Sequence, residues 1–147
     1  MRLVVQRVEK AKVMKVEDDS MAGEIGKGLL VLVGFKKGDR EKEVEVLAAK
    51  LSKLRIMADA EEKMNLSVDK VDGKMLIVSQ FTLHADTKDG NRPSFINAED
   101  PQKAEKLYKF FVAKLKELGV EIETGSFGDY MKIKVVLDGP VTILYSD

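Results

Sequence analysis

The sequence predicts an α+β fold: a mostly antiparallel β-sheet or small barrel with two helices, in a single domain spanning residues 1–147. Three observations predict it. Strand-like segments, alternating or continuously apolar, recur along the whole chain. Only two stretches, near 39–55 and 100–119, carry apolar residues at helical spacing. No repeat, low-complexity tract or linker divides the chain, and its length suits one domain.

Taken in order, residues 1–8 alternate as a first strand. Ala11 to Val16 and Met21 to Ile25 flank the polar turn Glu17-Asp18-Asp19-Ser20 and read as a hairpin. Gly26 and Gly28 then punctuate, and Leu29-Leu30-Val31-Leu32-Val33 is a continuous apolar run that predicts a strand buried on both faces. The first helix is expected to start near Asp39 as N-cap, with Glu41 and Glu43 in the first turn, where carboxylates suit the dipole. Val44, Leu47, Ala48, Leu51 and Leu54 form its core face, and Lys53 and Arg55 sit near its end.

A short strand is expected at Leu66 to Val68, a turn at Asp72-Gly73, and a strong strand from Lys74 to Leu83. Residues 85–99 are polar, contain Gly90 and Pro93, and form a loop long enough to invite a functional reading. Asp100-Pro101 opens the second helix as N-cap followed by proline at the first helical position. Ala104, Leu107, Phe111, Leu115 and Leu118 make its apolar stripe, and Gly119 stops it. Val120 to Ile122, Met131 to Leu137 and Val141 to Tyr145 are the last strands.

Composition excludes several classes of function. Hydrophobic residues make up 44% of the chain, enough for a packed core. There is no cysteine, which excludes a disulfide scaffold, a thiolate metal site and a cysteine nucleophile. With one histidine beside that, zinc enzymology is not expected, and no metal is assigned. Lysine plus arginine total 25 and aspartate plus glutamate total 25, so the chain lacks the broad basic surface of a general nucleic-acid coat; a local basic patch remains compatible. Residues 1–7 are apolar for too short a run to be a signal peptide, and no stretch approaches the roughly 18 apolar residues of a membrane span. A cytoplasmic protein without membrane contact is expected.

No standard catalytic constellation appears. A Ser-His-Asp arrangement would need His84 as base. Thr82 and His84 lie two apart and would share a face if the strand continued, which suggests a Thr-His couple; the plainer reading is a partly exposed histidine at a strand end. Ser79-Gln80-Phe81-Thr82 places polar residues at the end of an apolar strand, either as a strand terminus or as groups projected from a rigid edge. Asp138-Gly139-Pro140 interrupts a predicted strand pair with a residue that cannot donate to the ladder, either as a tight turn or as a close-approach motif.

Ser79-Gln80-Phe81-Thr82-Leu83 and Gly139-Pro140-Val141-Thr142, taken together, resemble the two signature motifs of the D-aminoacyl-tRNA deacylases. Further matches are Gln6-Arg7-Val8, Gly26-Lys27-Gly28-Leu29-Leu30-Val31-Leu32, Lys63-Met64-Asn65-Leu66 and Arg92-Pro93-Ser94-Phe95, so the resemblance covers essentially the whole chain. Neither Asp138, before Gly-Pro, nor His84, after the first signature, removes a motif residue.

The resemblance implies hydrolysis of the ester bond of D-aminoacyl-tRNA in chiral proofreading, with no cofactor; removal of glycine from mischarged tRNA-Ala is a further activity of that kind. It implies a homodimer in which Gly139-Pro140 carries a cis peptide and reaches into the partner's site, its backbone carbonyls facing the substrate ammonium. Backbone held beside the chiral carbon can reject one hand by clash while ignoring the side chain. Ser79, Gln80, Phe81 and Thr82 are implied to hold the terminal adenosine and the ester, with Gln80 and Thr82 catalytic and Phe127 and Met131 lining the pocket. Arg7 is implied to support the Gly-Pro loop. Either Thr82 attacks as nucleophile or the terminal ribose 2′-hydroxyl assists water; the second is preferred because threonine attack wants an adjacent base. A non-catalytic RNA-binding module, and a small-molecule esterase or D-amino-acid amidase that needs no RNA, are the competing readings.

Overall fold

The computed structural model describes residues 1–146. Eight strands and two helices follow in the order β1 (Arg2–Lys15), β2 (Met21–Ile25), β3 (Gly28–Gly34), α1 (Glu41–Ser52), β4 (Met57–Ala58), β5 (Met64–Leu66), β6 (Lys74–Ser79), α2 (Pro101–Glu117), β7 (Ile122–Thr124) and β8 (Met131–Ser146). Short 3₁₀ turns cover Val68–Val71 and Phe81–His84. The main sheet runs β2-β1-β3-β6-β7, with β8 on the other edge of β1; β4 and β5 pair separately. The β1 pairings are antiparallel, whereas β3–β6 and β6–β7 are parallel, so the predicted antiparallel sheet carries a parallel segment that runs from β3 to the last strand of the path, β7.

The long strand β1 serves two cores. Leu3 and Val5 face one cluster with Leu29, Val31, Val33, Met75 and Ile77, on which α1 lays Val44, Leu47 and Leu51 and α2 lays Leu107, Phe111 and Leu115. Val8, Ala11 and Val13 face the other, with Ile25, Leu30, Leu76 and Val78, and Met131 and Ile133 of β8 pack against it. Val8 and Ala11 differ by an odd number of residues, yet share a face. The register irregularity between Val8 and Lys10 in the β1–β8 pairing accounts for this, because one extra residue in a strand exchanges its two faces. The sheet thereby curls over its second core into a nearly closed barrel. Closure brings β2 onto β7 so tightly that a Cβ at Gly23 would lie 2.4 Å from the Thr124 carbonyl oxygen, and only glycine fits.

The hairpin, the doubly buried third strand and the cap of the second helix are as predicted: the Asp100 carboxylate accepts a hydrogen bond from the Gln102 amide at 3.0 Å. Other expectations need correction. Asp39 does not cap α1; it is buried and holds the Met1 ammonium at 2.7 Å and the Lys36 amide at 2.8 Å. Arg40 takes the cap position, its amide donating to the Glu43 carboxylate at 2.9 Å. Leu54 and Arg55 lie beyond the end of α1, and Leu118 is exposed rather than part of the α2 stripe. The strand expected at 66–68 sits at Met64–Leu66. β6 stops at Ser79: the Gln80 amide makes the last ladder bond to the Val33 carbonyl, and the chain then tightens into the 3₁₀ turn. Met131–Ser146 is one strand rather than two, passing through Gly139-Pro140.

Candidate active site

The end of β6 opens into a cavity of about 670 Å³. Ser79, Gln80 and Phe81 form one wall, Phe127 and Met131 another, and Phe35, Glu99 and Ala104 close the helix side. Five predicted site residues therefore meet here, although Phe127 and Met131 lie far along the chain from Ser79. Three elements place them: β6 ends at the barrel rim, the segment after β7 folds back over it, and β8 begins there. The Phe81 ring is exposed and meets the edge of Phe95 from the long loop at 5.2 Å, so the polar 85–99 segment contributes a ring to the rim.

Thr82 does not line the cavity. It stands exposed on the 3₁₀ turn, its Oγ1 accepting a hydrogen bond from the Gln80 Nε2 at 2.5 Å. The turn also separates Thr82 from His84, because two residues of a three-residue turn point in different directions. His84 is buried, not partly exposed at a strand end, and its Nε2 lies 3.0 Å from the Gly34 carbonyl oxygen. Burial lowers its pKa below the ordinary histidine value, with the Gly34 contact opposing that shift. The Thr-His couple is thus absent.

Gly139 and Pro140 are exposed and joined by a cis peptide, with Gly139 at φ +126°. They do not line the cavity of their own chain. Arg7 fixes their approach: its Nε lies 3.1 Å from the Asp138 carboxylate and 3.3 Å from the Asp138 carbonyl oxygen, and its Nη1 donates to the Ile56 carbonyl at 2.8 Å. The strand around the motif exposes Val135, Val136, Leu137 and Leu144, the last at 74%.

Several neighbours of the site escaped the sequence reading. Glu99 lines the cavity with its carboxylate nearly covered; burial raises its pKa, but the Lys103 ammonium at 2.7 Å and the Asp100 and Gly38 amides outweigh that and hold it below the usual range. Asp129, also at the cavity, is held low by the Ser126 hydroxyl and the Lys15 ammonium. Ala104 was legible only as a helix-stripe residue, and nothing in its spacing points to a cavity. Among the described residues no group of three or more His, Asp or Glu side chains is placed to hold a metal ion, and no helix is long and apolar enough to cross a membrane.

A family model described as D-Tyr-tRNA(Tyr) deacylase matches residues 4–146. The chain is 53% identical over 143 residues to a D-aminoacyl-tRNA deacylase of Paracoccus denitrificans, covering 97% of this chain and 95% of the relative. It is 54% identical to that of Desulfatibacillum aliphaticivorans, covering 98% and 97%. The solved structure of a c-Myc DNA Unwinding Element Binding Protein superposes with a TM-score of 0.92 at 36% identity, covering 100% of this chain and 99% of that one. A probable eukaryotic D-amino acid tRNA deacylase shares the fold, with a TM-score of 0.83 at 16% identity over 98% and 97% of the two chains. With its signatures gathered around one cavity rim and one exposed cis-proline strand, and half its residues shared with such relatives, this chain belongs to the D-Tyr-tRNA(Tyr) deacylase family.

Proposed function

We propose that the protein hydrolyses the ester bond between a D-amino acid and its tRNA, releasing both, as a proofreading enzyme of translation in the cytoplasm. The observation that carries this reading is the convergence of Ser79, Gln80, Phe81, Phe127 and Met131 on one cavity at the rim of the barrel. Its apolar and aromatic walls suit the terminal adenosine, and its polar strand end suits the ester.

The chemistry is assigned to Gln80 and the substrate's own 2′-hydroxyl. Among the described residues the Thr82 hydroxyl has no base beside it, and its hydrogen-bond partner is the Gln80 amide. The second N–H of that amide is available for the carbonyl oxygen as it gains charge, and one such donor is commonly worth about 3–4 kcal/mol of barrier. Thr82 orients Gln80, and the ribose 2′-hydroxyl directs water onto the ester carbon.

Selection between the two hands is assigned to Gly139-Pro140 of a second copy. The motif is exposed, held by Arg7 and outside its own cavity, and it lies on an edge strand with exposed apolar residues, which supports a homodimer through β8. A filter that rejects an L side chain admits glycine, so glycyl-tRNA mischarged on tRNA-Ala falls within its range.

The test is discharge of D-Tyr-tRNA and L-Tyr-tRNA by the purified protein. Release of the D form alone is expected. Release of neither would reject the enzyme reading in favour of a nucleic-acid-binding module, the kind of role for which one solved relative is named.

A further inference from the structure

Phe127 belongs to two hollows. It lines the cavity at the end of β6, and it also lines a groove of about 610 Å³ between the outer face of α2 and residues 124–126. The two therefore adjoin at one aromatic ring, which packs against Tyr108 at 5.6 Å between centroids. Val112, Ala113 and Gly125 give the groove an apolar floor. Thr124 offers a hydroxyl group on one bank, beside Ser126, whose own hydroxyl donates to Asp129, and Lys109 and Lys116 stand on the other.

The two lysines are seven residues apart on one helix, two turns and about 10.5 Å along its axis. They address separate phosphates of a strand rather than one. Lys116 has no carboxylate within salt-bridge distance among the described residues, although its helix carries several paired lysines. Lys109 pairs with Glu105 at 2.8 Å across an exposed helix face, an arrangement that yields readily to a phosphate. Glu105 also lines the groove and is the one carboxylate there among the described residues. Cations on a bank, a hydroxyl opposite and a hydrophobic floor leading to an aromatic ring are the chemistry of single-stranded nucleotides.

We infer that this groove holds the nucleotides immediately 5′ of the terminal nucleoside, a short single-stranded ribonucleotide segment whose phosphates meet Lys109 and Lys116. This rests on the reading that the cavity takes the terminal nucleoside and its ester. The single-stranded CCA end common to tRNAs then passes over Phe127 into the groove. Recognition there is of backbone and base faces, so it is shared by every tRNA regardless of the amino acid carried.

The test compares three substrates with D-tyrosine esterified to adenosine, to the trinucleotide CCA and to full tRNA. The wild-type protein should favour the CCA ester over the adenosine ester. K109E/K116E should lower kcat/KM on the CCA and tRNA esters by about tenfold, the size expected for two exposed charge contacts, and leave the adenosine ester unchanged. The slope of log affinity against log salt for tRNA should shrink by about 1.4, at about 0.7 per phosphate on a single strand. K70E/K74E is the charge control: both lysines are exposed beside the start of β6, the end away from Ser79, and neither lines the cavity or the groove. It should leave the CCA ester unaffected. Equal turnover of the CCA and adenosine esters by the wild type, or equal losses in the two double variants, would overturn the groove assignment while leaving the enzyme reading intact. Failure on all three substrates would instead overturn the enzyme reading, and this inference with it.

Discussion

Arg7 and Asp138 are joined twice, through the aspartate carboxylate at 3.1 Å and through its backbone carbonyl at 3.3 Å, and the same guanidinium binds the Ile56 carbonyl at 2.8 Å. One side chain on β1 thus ties the residue before Gly139-Pro140 to the segment after α1. Arg7→Ala should leave the Ile56 carbonyl without its charged donor, at a cost of about 1–3 kcal/mol. A melting temperature several degrees lower, together with loss of D-over-L discrimination in a discharge assay, is the expected pair of results. Normal discrimination in a destabilised variant would reduce Arg7 to a structural role.

Thr82 has no neighbouring base, so Thr82→Ala should slow discharge by no more than about tenfold, the effect of loosening one oxyanion donor. Single-turnover rates with D-Tyr-tRNA measure this directly. Near-complete loss with substrate binding intact would identify Thr82 as the nucleophile.

Pro140 is exposed in its own chain, and Pro140→Ala should leave the monomer fold and its thermal transition essentially intact. Discrimination between D-Tyr-tRNA and L-Tyr-tRNA should fall by at least about tenfold, or roughly 1.4 kcal/mol. An unchanged ratio would reject the filter.

Leu144 is 74% exposed on the edge strand, where a polar replacement costs a lone chain little. Leu144→Glu should therefore convert a dimer to a folded monomer in sedimentation and remove D-selective discharge with it. A variant that sediments as the wild type would place the interface elsewhere.

His84 supplies the pH prediction. Its folded pKa is depressed by burial below the ordinary value of 6.5. The unfolded chain therefore takes up a proton more readily, and stability falls as pH drops below that ordinary value, levelling off once the folded pKa is passed. Above it the neutral ring contributes fully. Urea midpoints between about pH 5 and pH 7.5 should show this slope, and His84→Gln should flatten it. A slope unchanged in the variant would assign the pH dependence to other groups.

Much of this architecture was legible in the residues. Leu29 to Val33 announced a doubly buried strand by its unbroken apolar run, and Asp100-Pro101 announced a helix by its cap chemistry. Two kinds of feature were not. The face exchange in β1 depends on pairing with β8, and local alternation cannot show a partner more than a hundred residues away. Asp39 looked like a helix cap because its neighbours suit one; its burial beside the Met1 ammonium depends on where β1 brings that group. At the site, Ser79 to Phe81 and Gly139-Pro140 stood out as motifs. Their separation into a cavity wall and an outward-facing strand is a property of the folded chain, as is the displacement of Thr82 from the cavity to its rim.

Pairing the first strand with the eighth also dictates when this molecule can become itself on the ribosome. Arg2 faces Ser146, and the β1–β8 ladder extends to Lys15 opposite Met131, so the outer edge of β1 has no partner until translation has passed nearly every other element. Contacts of such sequence separation close slowly. Until they do, the nascent chain displays a long unpaired edge, the feature most prone to capture by other unfinished chains. A chaperone that shields β1 during synthesis should raise the soluble yield more than one that acts on the finished chain.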